Sequence, residues 1–121
     1  MDTRELQVSV RDRDGTSVVD LHGEIDRSAD ERLAQAYGAA TRGGARDVVL
    51  NFADVDYINS TGIALIVGLL AQARAQGVQM SACGLSDHYR EIFEITRLAD
   101  FMTIADSEDH ALETREGSND G

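Results

Sequence analysis

Leu6, Val8 and Val10 alternate with polar residues, the period of a half-buried strand, and Asp12-Arg13-Asp14-Gly15 then reads as a turn. Val18, Val19 and Leu21 resume an apolar run, which predicts an opening β-hairpin. Ser28-Ala29-Asp30-Glu31 has the form of a capping box, in which a Ser oxygen accepts from the third helical N–H while the Glu reaches back. Leu33, Ala36, Tyr37 and Ala40 keep helical spacing behind it, and Gly43-Gly44 stops that helix. Val48-Val49-Leu50-Asn51-Phe52 is almost continuously apolar, the pattern of a strand covered on both faces in a parallel sheet.

An acidic loop with Asp54 and Asp56 follows, then Tyr57-Ile58-Asn59-Ser60-Thr61-Gly62 and a helix running to about Ala75, closed by Gly77. Val78 to Ala82 reads as a short strand. Ser86 is placed to cap a helix whose apolar face is Tyr89, Ile92 and Phe93, and Leu98 to Ile104 returns to sheet-like composition. Ser107 is placed to cap a last helix through Ala111 and Leu112. From Gly117 the chain has nothing to bury, so the folded domain is predicted over residues 1–116 and a disordered tail over 117–121. The order ββαβαβαβα predicts a single α/β domain, a mixed, mostly parallel sheet with helices packed on it.

Composition narrows the function classes. The 121 residues suffice for one domain, and 11 Arg with no Lys stand against 22 Asp plus Glu, a net charge of −11. The acidic excess is present in both halves of the chain and leaves no basic stripe to neutralise phosphates, so nucleic acid is not an expected partner. The most apolar run, Gly62 to Ala71, is far shorter than the roughly 20 residues of a spanning helix, so membrane insertion is not expected. Met1 to Leu6 carries Asp2 and Glu5 and does not resemble a signal or transit peptide. A single Cys excludes an internal disulfide framework and Cys-rich metal sites, and the reducing cytoplasm is the expected compartment.

Few residues suggest chemistry. His22, Glu24 and Asp26 alternate at a strand end and could share a face like a metal site, but solvated strand-end polar groups account for them better, and Asp26 can equally prepare the turn into the Ser28 cap. His88 and Glu91 lie i, i+3 on a helix with no second His in that helix to complete a chelate. Cys83 has no neighbouring pattern that would activate a thiolate and reads as a small buried hydrophobe. Common nucleotide, hydrolase and metalloprotease motifs are absent, so no catalytic residue, metal or cofactor is assigned. Ser60 is more informative: it falls where a strand-loop meets a helix, and its hydroxyl is placed to cap that helix. The helix behind it is apolar all round, which marks either a docking surface or an outward face filled by the small residues Gly62, Ala64, Gly68 and Ala71.

These segments together resemble the STAS domain family, and within it the anti-sigma factor antagonists. Gly23-Glu24-Ile25-Asp26 is similar to the family's GELD segment, Val48 to Phe52 to its VVLD strand, and Tyr57 to Ile63 to its F-[IM]-D-S-[ST]-G-[LI] signature. Ile92 to Leu98 is similar to ILELTGL. The resemblance implies a non-enzymatic regulator that works by partner switching. A partner that is both serine kinase and anti-sigma factor would bind the unphosphorylated form and phosphorylate it, and a serine phosphatase would restore it. Carried over by position, the phosphorylated residue is Ser60, with Thr61 as the alternative, and the partner surface comprises Asp26, Asn59, Ser60, Thr61, Gly62, Ile63 and Ile66.

Two positions depart from the pattern. Asn59 and Asn51 stand where the family most often has Asp, which keeps hydrogen-bonding capacity and removes the charge. If those carboxylates serve phosphoryl transfer, the alternative is a constitutive, unphosphorylated STAS scaffold or an accessory subunit of a transport or signalling complex.

Overall fold

In the computed structural model, which describes residues 5–119 and side chains as far as residue 113, the opening hairpin consists of β1 (Gln7–Arg13) and β2 (Thr16–Ile25). Gln7 faces His22 and Arg13 faces Thr16 across an antiparallel ladder. Asp14 and Gly15 reverse the chain with φ of 54° and 89°, the left-handed pair that a two-residue hairpin turn requires.

A 3-10 turn over Arg27–Ala29 leads into α1 (Asp30–Thr41). The chain continues through β3 (Asp47–Ile58), α2 (Ser60–Gln76), β4 (Gln79–Cys83) and α3 (Asp87–Ile95). A second 3-10 turn, Leu98–Asp100, precedes β5 (Thr103–Ala105) and α4 (Glu108–Asn119). The sheet order is β1-β2-β3-β4-β5, with every pair after the hairpin parallel. The domain is therefore the mixed, mostly parallel α/β fold that the sequence predicts. Ser86 and Ser107 cap α3 and α4, accepting from the N–H groups of Tyr89 and His110 at 3.2 and 3.1 Å. Helix α4 continues to Asn119, past the boundary predicted at residue 117, and residues 120–121 of the predicted tail lie outside the described residues.

The first half of strand β3 is covered on both faces. Val48, Leu50 and Phe52 enter a core built with Leu33 and Tyr37 of α1, Ile66 and Leu70 of α2, and Phe93 of α3. Val49 points the other way, joining Val18, Cys83 and Ala105 beneath Ala111 and Leu112 of α4. Phe93 is fully buried and meets Phe52 edge to face at 5.7 Å. A large apolar side chain buried so completely contributes about 1.5–3 kcal/mol.

Ion pairs fasten α4 to the hairpin. Arg11 donates to both Asp20 oxygens, at 2.6 and 2.9 Å, and to both Glu108 oxygens, at 2.8 and 3.2 Å. Arg13 adds Glu108 at 2.7 Å and Asp109 at 3.1 Å. Asn51 completes the group by donating to Asp20 at 2.8 Å.

Two segments differ from the sequence reading. The acidic stretch around Asp54 and Asp56 belongs to β3, because the second half of β2 pairs with it: His22 opposes Asp54 and Glu24 opposes Tyr57, across two register slips. Backbone pairing decides the conformation there, whatever the side-chain polarity. Leu98 to Ile104 is a 3-10 turn with only a short strand, because Arg97 takes the left-handed conformation (φ 70°) and buried Leu98 anchors the turn.

Candidate functional site

Strands β2 and β3 end in register, with Ile25 opposite Ile58. The chain leaves them as Asp26 and Asn59, and the Asn59 N–H donates back to the Ile25 carbonyl at 3.2 Å. Asp26, Asn59, Ser60 and Thr61 thus gather at the carboxyl ends of parallel strands, the edge at which open α/β sheets place their sites.

Each exit residue has a local task. The Asp26 carboxylate accepts the Ser28 hydroxyl at 2.6 Å and the Ser28 N–H at 2.9 Å. Those bonds, the hydroxyl's first, hold its pKa below the ordinary carboxylate range. The capping box predicted on Ser28 and Glu31 is consequently displaced: Asp26 caps the 3-10 turn, and α1 begins at Asp30 with no side-chain cap. A carboxylate is the stronger acceptor, and the Ser28 hydroxyl becomes its donor.

The same substitution of roles occurs at α2. Asn59, extended at φ −93° and ψ −177°, is the N-cap, and its Oδ1 accepts the Gly62 N–H at 2.8 Å. Ser60, predicted to cap, is already the first helical residue, exposed, with no hydrogen bond to its hydroxyl among the described residues. Thr61 is also exposed, and the free backbone N–H groups of this first turn face the same edge. Tyr89 of α3 supports the corner from behind, its hydroxyl accepting the Ile58 N–H at 3.0 Å.

Gly62 is buried because a side chain has no room: a Cβ there would overlap the Ile25 carbonyl oxygen and lie 2.8 Å from its carbon. Ile66, expected at a partner surface, is 1% exposed and belongs to the core, since it lies four residues from Gly62 on the inward stripe that continues to Leu69, Leu70 and Ala73. Ile63 is half-buried. The large apolar side chain that solvent reaches near this edge is instead Tyr57, 49% exposed, while Val67, 46% exposed, lies about two turns further along α2. Around Val67 the outward face of α2 is made of Ala64, Gly68 and Ala71, so small residues keep the exposed apolar strip narrow.

The remaining candidates lie elsewhere or lack the means to react. Among the described residues, no group of three or more His, Cys, Asp or Glu could hold a metal ion, so His22, Glu24 and Asp26 form no such centre. The His88 ring lies edge-on to Tyr89 at 4.8 Å. Burial, reinforced by the charges of Glu108 and Asp20, pushes the Cys83 thiol up to about 11, away from reactive thiolate. Asn51 sits on the α4 side of β3, its Oδ1 accepting the Ala53 N–H at 3.1 Å, and takes no part in the Ser60 corner. No described helix is long and apolar enough to cross a membrane.

Residues 7–111 match the family model of the STAS domain. The chain belongs to the STAS domain family. The anti-sigma-B factor antagonist of Staphylococcus aureus (strain NCTC 8325 / PS 47) is 30% identical over 99 residues, covering 82% of this chain and 92% of that protein. This STAS domain is accordingly a member of the anti-sigma factor antagonists. An anti-sigma factor antagonist from Mycobacterium paratuberculosis has a similar structure, with TM-score 0.80 and 23% identity over 93% of this chain and 96% of that one. The anti-sigma factor antagonist SpoIIAA in its unphosphorylated form matches with TM-score 0.68 and 23% identity, over 93% of this chain and 98% of its own. The phosphorylated form of SpoIIAA, a Bacillus cell fate determinant, matches with TM-score 0.66 and 24% identity over 89% and 98%. At these identities the structural likenesses establish the fold.

Proposed function

We propose that this STAS domain is a cytoplasmic, non-enzymatic partner switch: unphosphorylated, it binds a serine-kinase-type anti-sigma factor, and phosphorylation of Ser60 releases that partner until a serine phosphatase removes the group. The observation that carries this reading is the state of Ser60. Its hydroxyl is exposed and unbonded among the described residues, on a helix start held rigid by Asn59, Gly62 and the Ile25 carbonyl. It also occupies the serine position of the signature that Tyr57 to Ile63 resembles. SpoIIAA, a relative in fold, exists in both phosphorylated and unphosphorylated forms.

The electrostatics make Ser60 a switch with little effect on the fold. A phosphate there meets the positive end of α2 and its free N–H groups, so the domain tolerates it. It nevertheless adds roughly −1.5 to −2 charge to an edge that already carries Asp26. A partner packed over Tyr57, Thr61 and Ile63 would have to bury that charge, and is expelled by desolvation and repulsion.

Intact mass of protein from its native cells, with peptide mapping across residues 47–74, is expected to show one phosphate on Ser60 in a fraction of the molecules. With the purified domain as bait, wild type and Ser60→Ala should retain the anti-sigma factor, whereas Ser60→Asp should lose about 3 kcal/mol or more of binding. Protein that stays unmodified in growth and stress, together with Ser60→Asp binding as wild type does, would replace the switch with a constitutive scaffold.

A further inference from the structure

The far half of α2 borders a concave apolar surface that the Ser60 edge does not use. Val67, Leu70 and Ala71 face Leu98 and Phe101 across a groove of about 200 Å³. Thr96 and two guanidiniums complete its lining. Arg74 lies over the Phe101 ring, 5.1 Å from its centre, and has no carboxylate partner among the described residues. Arg97 donates from Nε to Asp100 at 2.6 Å, which leaves its terminal nitrogens available to an acceptor.

Arg97, like Arg11, Arg13, Arg32 and Arg90, pairs with a carboxylate, as a net charge of −11 favours, whereas Arg74 has its charge over an aromatic ring. Arg97 stands where the ILELTGL pattern has glycine, and it holds a left-handed backbone (φ 70°) that glycine adopts without strain. A guanidinium is thus kept beside the groove against the local backbone preference.

We propose that this groove binds a small apolar carboxylate, with its ring or short acyl chain between α2 and Phe101 and its acid group on Arg74 and Arg97. The volume sets the size class. It exceeds the roughly 150 Å³ in which an apolar protein cavity holds benzene and falls short of the roughly 300 Å³ at which drug-sized sites begin. Phe101, 52% exposed, offers a ring face for stacking. Charge favours a small molecule over an acidic protein segment: one carboxylate meets the two local cations, whereas a larger anionic partner also meets the field of the whole acidic chain. The site is independent of the Ser60 switch.

The test is an NMR titration of the whole ¹⁵N-labelled protein with benzoate and octanoate, alongside benzyl alcohol and 1-octanol as neutral counterparts. The carboxylates should give saturable shifts at Val67, Ala71 and Leu98, with the alcohols about tenfold weaker or more, the difference expected for a charge-assisted pair. Arg74→Gln and Arg97→Gly should each weaken carboxylate binding by about tenfold. Arg97→Gly relaxes the left-handed residue, so a loss of affinity in a protein at least as stable as wild type cannot come from misfolding. Val67→Trp, at an exposed position, should fill the groove and abolish the shifts. Absence of saturable shifts, equal affinity for the alcohols, or shifts that survive Val67→Trp would overturn the proposal. So would an acidic amphipathic peptide that perturbs these residues where neither carboxylate does, since the groove would then belong to a protein partner.

Discussion

Replacing Gly62 with alanine would drive a Cβ into the Ile25 carbonyl oxygen and to 2.8 Å from its carbon, whereas real Cβ atoms essentially never come within 3.0 Å of another such atom. The obstacle is backbone, so α2 or the end of β2 must move by about an ångström. Overpacking of this kind costs about 1–3 kcal/mol. The same Ile25 oxygen accepts the Asn59 N–H, and loosening that bond adds about 0.5–1.5 kcal/mol. Against this, alanine gains about 1 kcal/mol over glycine in helix propensity. The net expectation is a destabilisation of about 2 kcal/mol, and with it a displaced first turn carrying Ser60.

Gly68 supplies the control on the same helix, because a Cβ there meets nothing within 4 Å. Gly68→Ala should therefore stabilise by about 0.5–1 kcal/mol from propensity alone. Urea unfolding followed by far-UV circular dichroism, suited to a chain without Trp, measures both variants against wild type, and an unchanged m value identifies a change in stability. In thermal scans Gly62→Ala should melt about 8 °C lower. A Gly62→Ala midpoint at or above wild type, with Gly68→Ala raised as expected, would refute the claim that α2 is seated directly on the end of β2.

Two further outcomes follow from the same contacts. Arg11 holds the carboxyls of Asp20 and Glu108 below their ordinary values, so this stabilisation is fully present above those ordinary values and is lost as pH falls through the lower folded-state ones, where the unfolded chain has already taken up its protons. Acid unfolding should be less steep in Arg11→Gln, and identical pH profiles for the two proteins would show that these half-exposed pairs contribute nothing. Asn59→Asp should leave the rate of Ser60 phosphorylation unchanged or lower it, measured with the kinase that modifies wild type; a clear increase would mean that a carboxylate at 59 assists the transfer.

The sequence and the structure agree where a local rule decides and diverge where a neighbour does. The Asp14-Gly15 turn, the Ser86 and Ser107 caps and the doubly covered β3 core are each readable from adjacent residues. Ser28 and Ser60 lose their predicted capping roles to Asp26 and Asn59, in each case an equally good cap a residue or two earlier, and preference for the earlier Asx would have found both. The phase of α2 is harder to read. Ile66 and Val67 are equally apolar, so hydropathy cannot tell the buried one from the exposed one; only the overlap of a Gly62 side chain with Ile25 fixes which stripe turns inward. The groove was illegible for the same kind of reason, since Val67 and Phe101 meet through tertiary packing alone.

The two asparagines that depart from the family pattern separate on physical grounds. Asn51 lies across the sheet, bonded to Asp20 and Ala53 in the network that fastens α4, and a carboxylate in its place would face Asp20 at 2.8 Å with no donor between them. Its amide is needed there for packing of charge, whatever happens at Ser60. Asn59 does stand at the switch edge, but its oxygen is committed to the Gly62 N–H and so serves the helix start ahead of the Ser60 hydroxyl. What its amide changes is the charge count, because an aspartate would add a second acid to the strand ends from which Asp26 leaves. With asparagine, an incoming phosphate meets less repulsion within the domain, and expulsion of the partner falls to the phosphate itself.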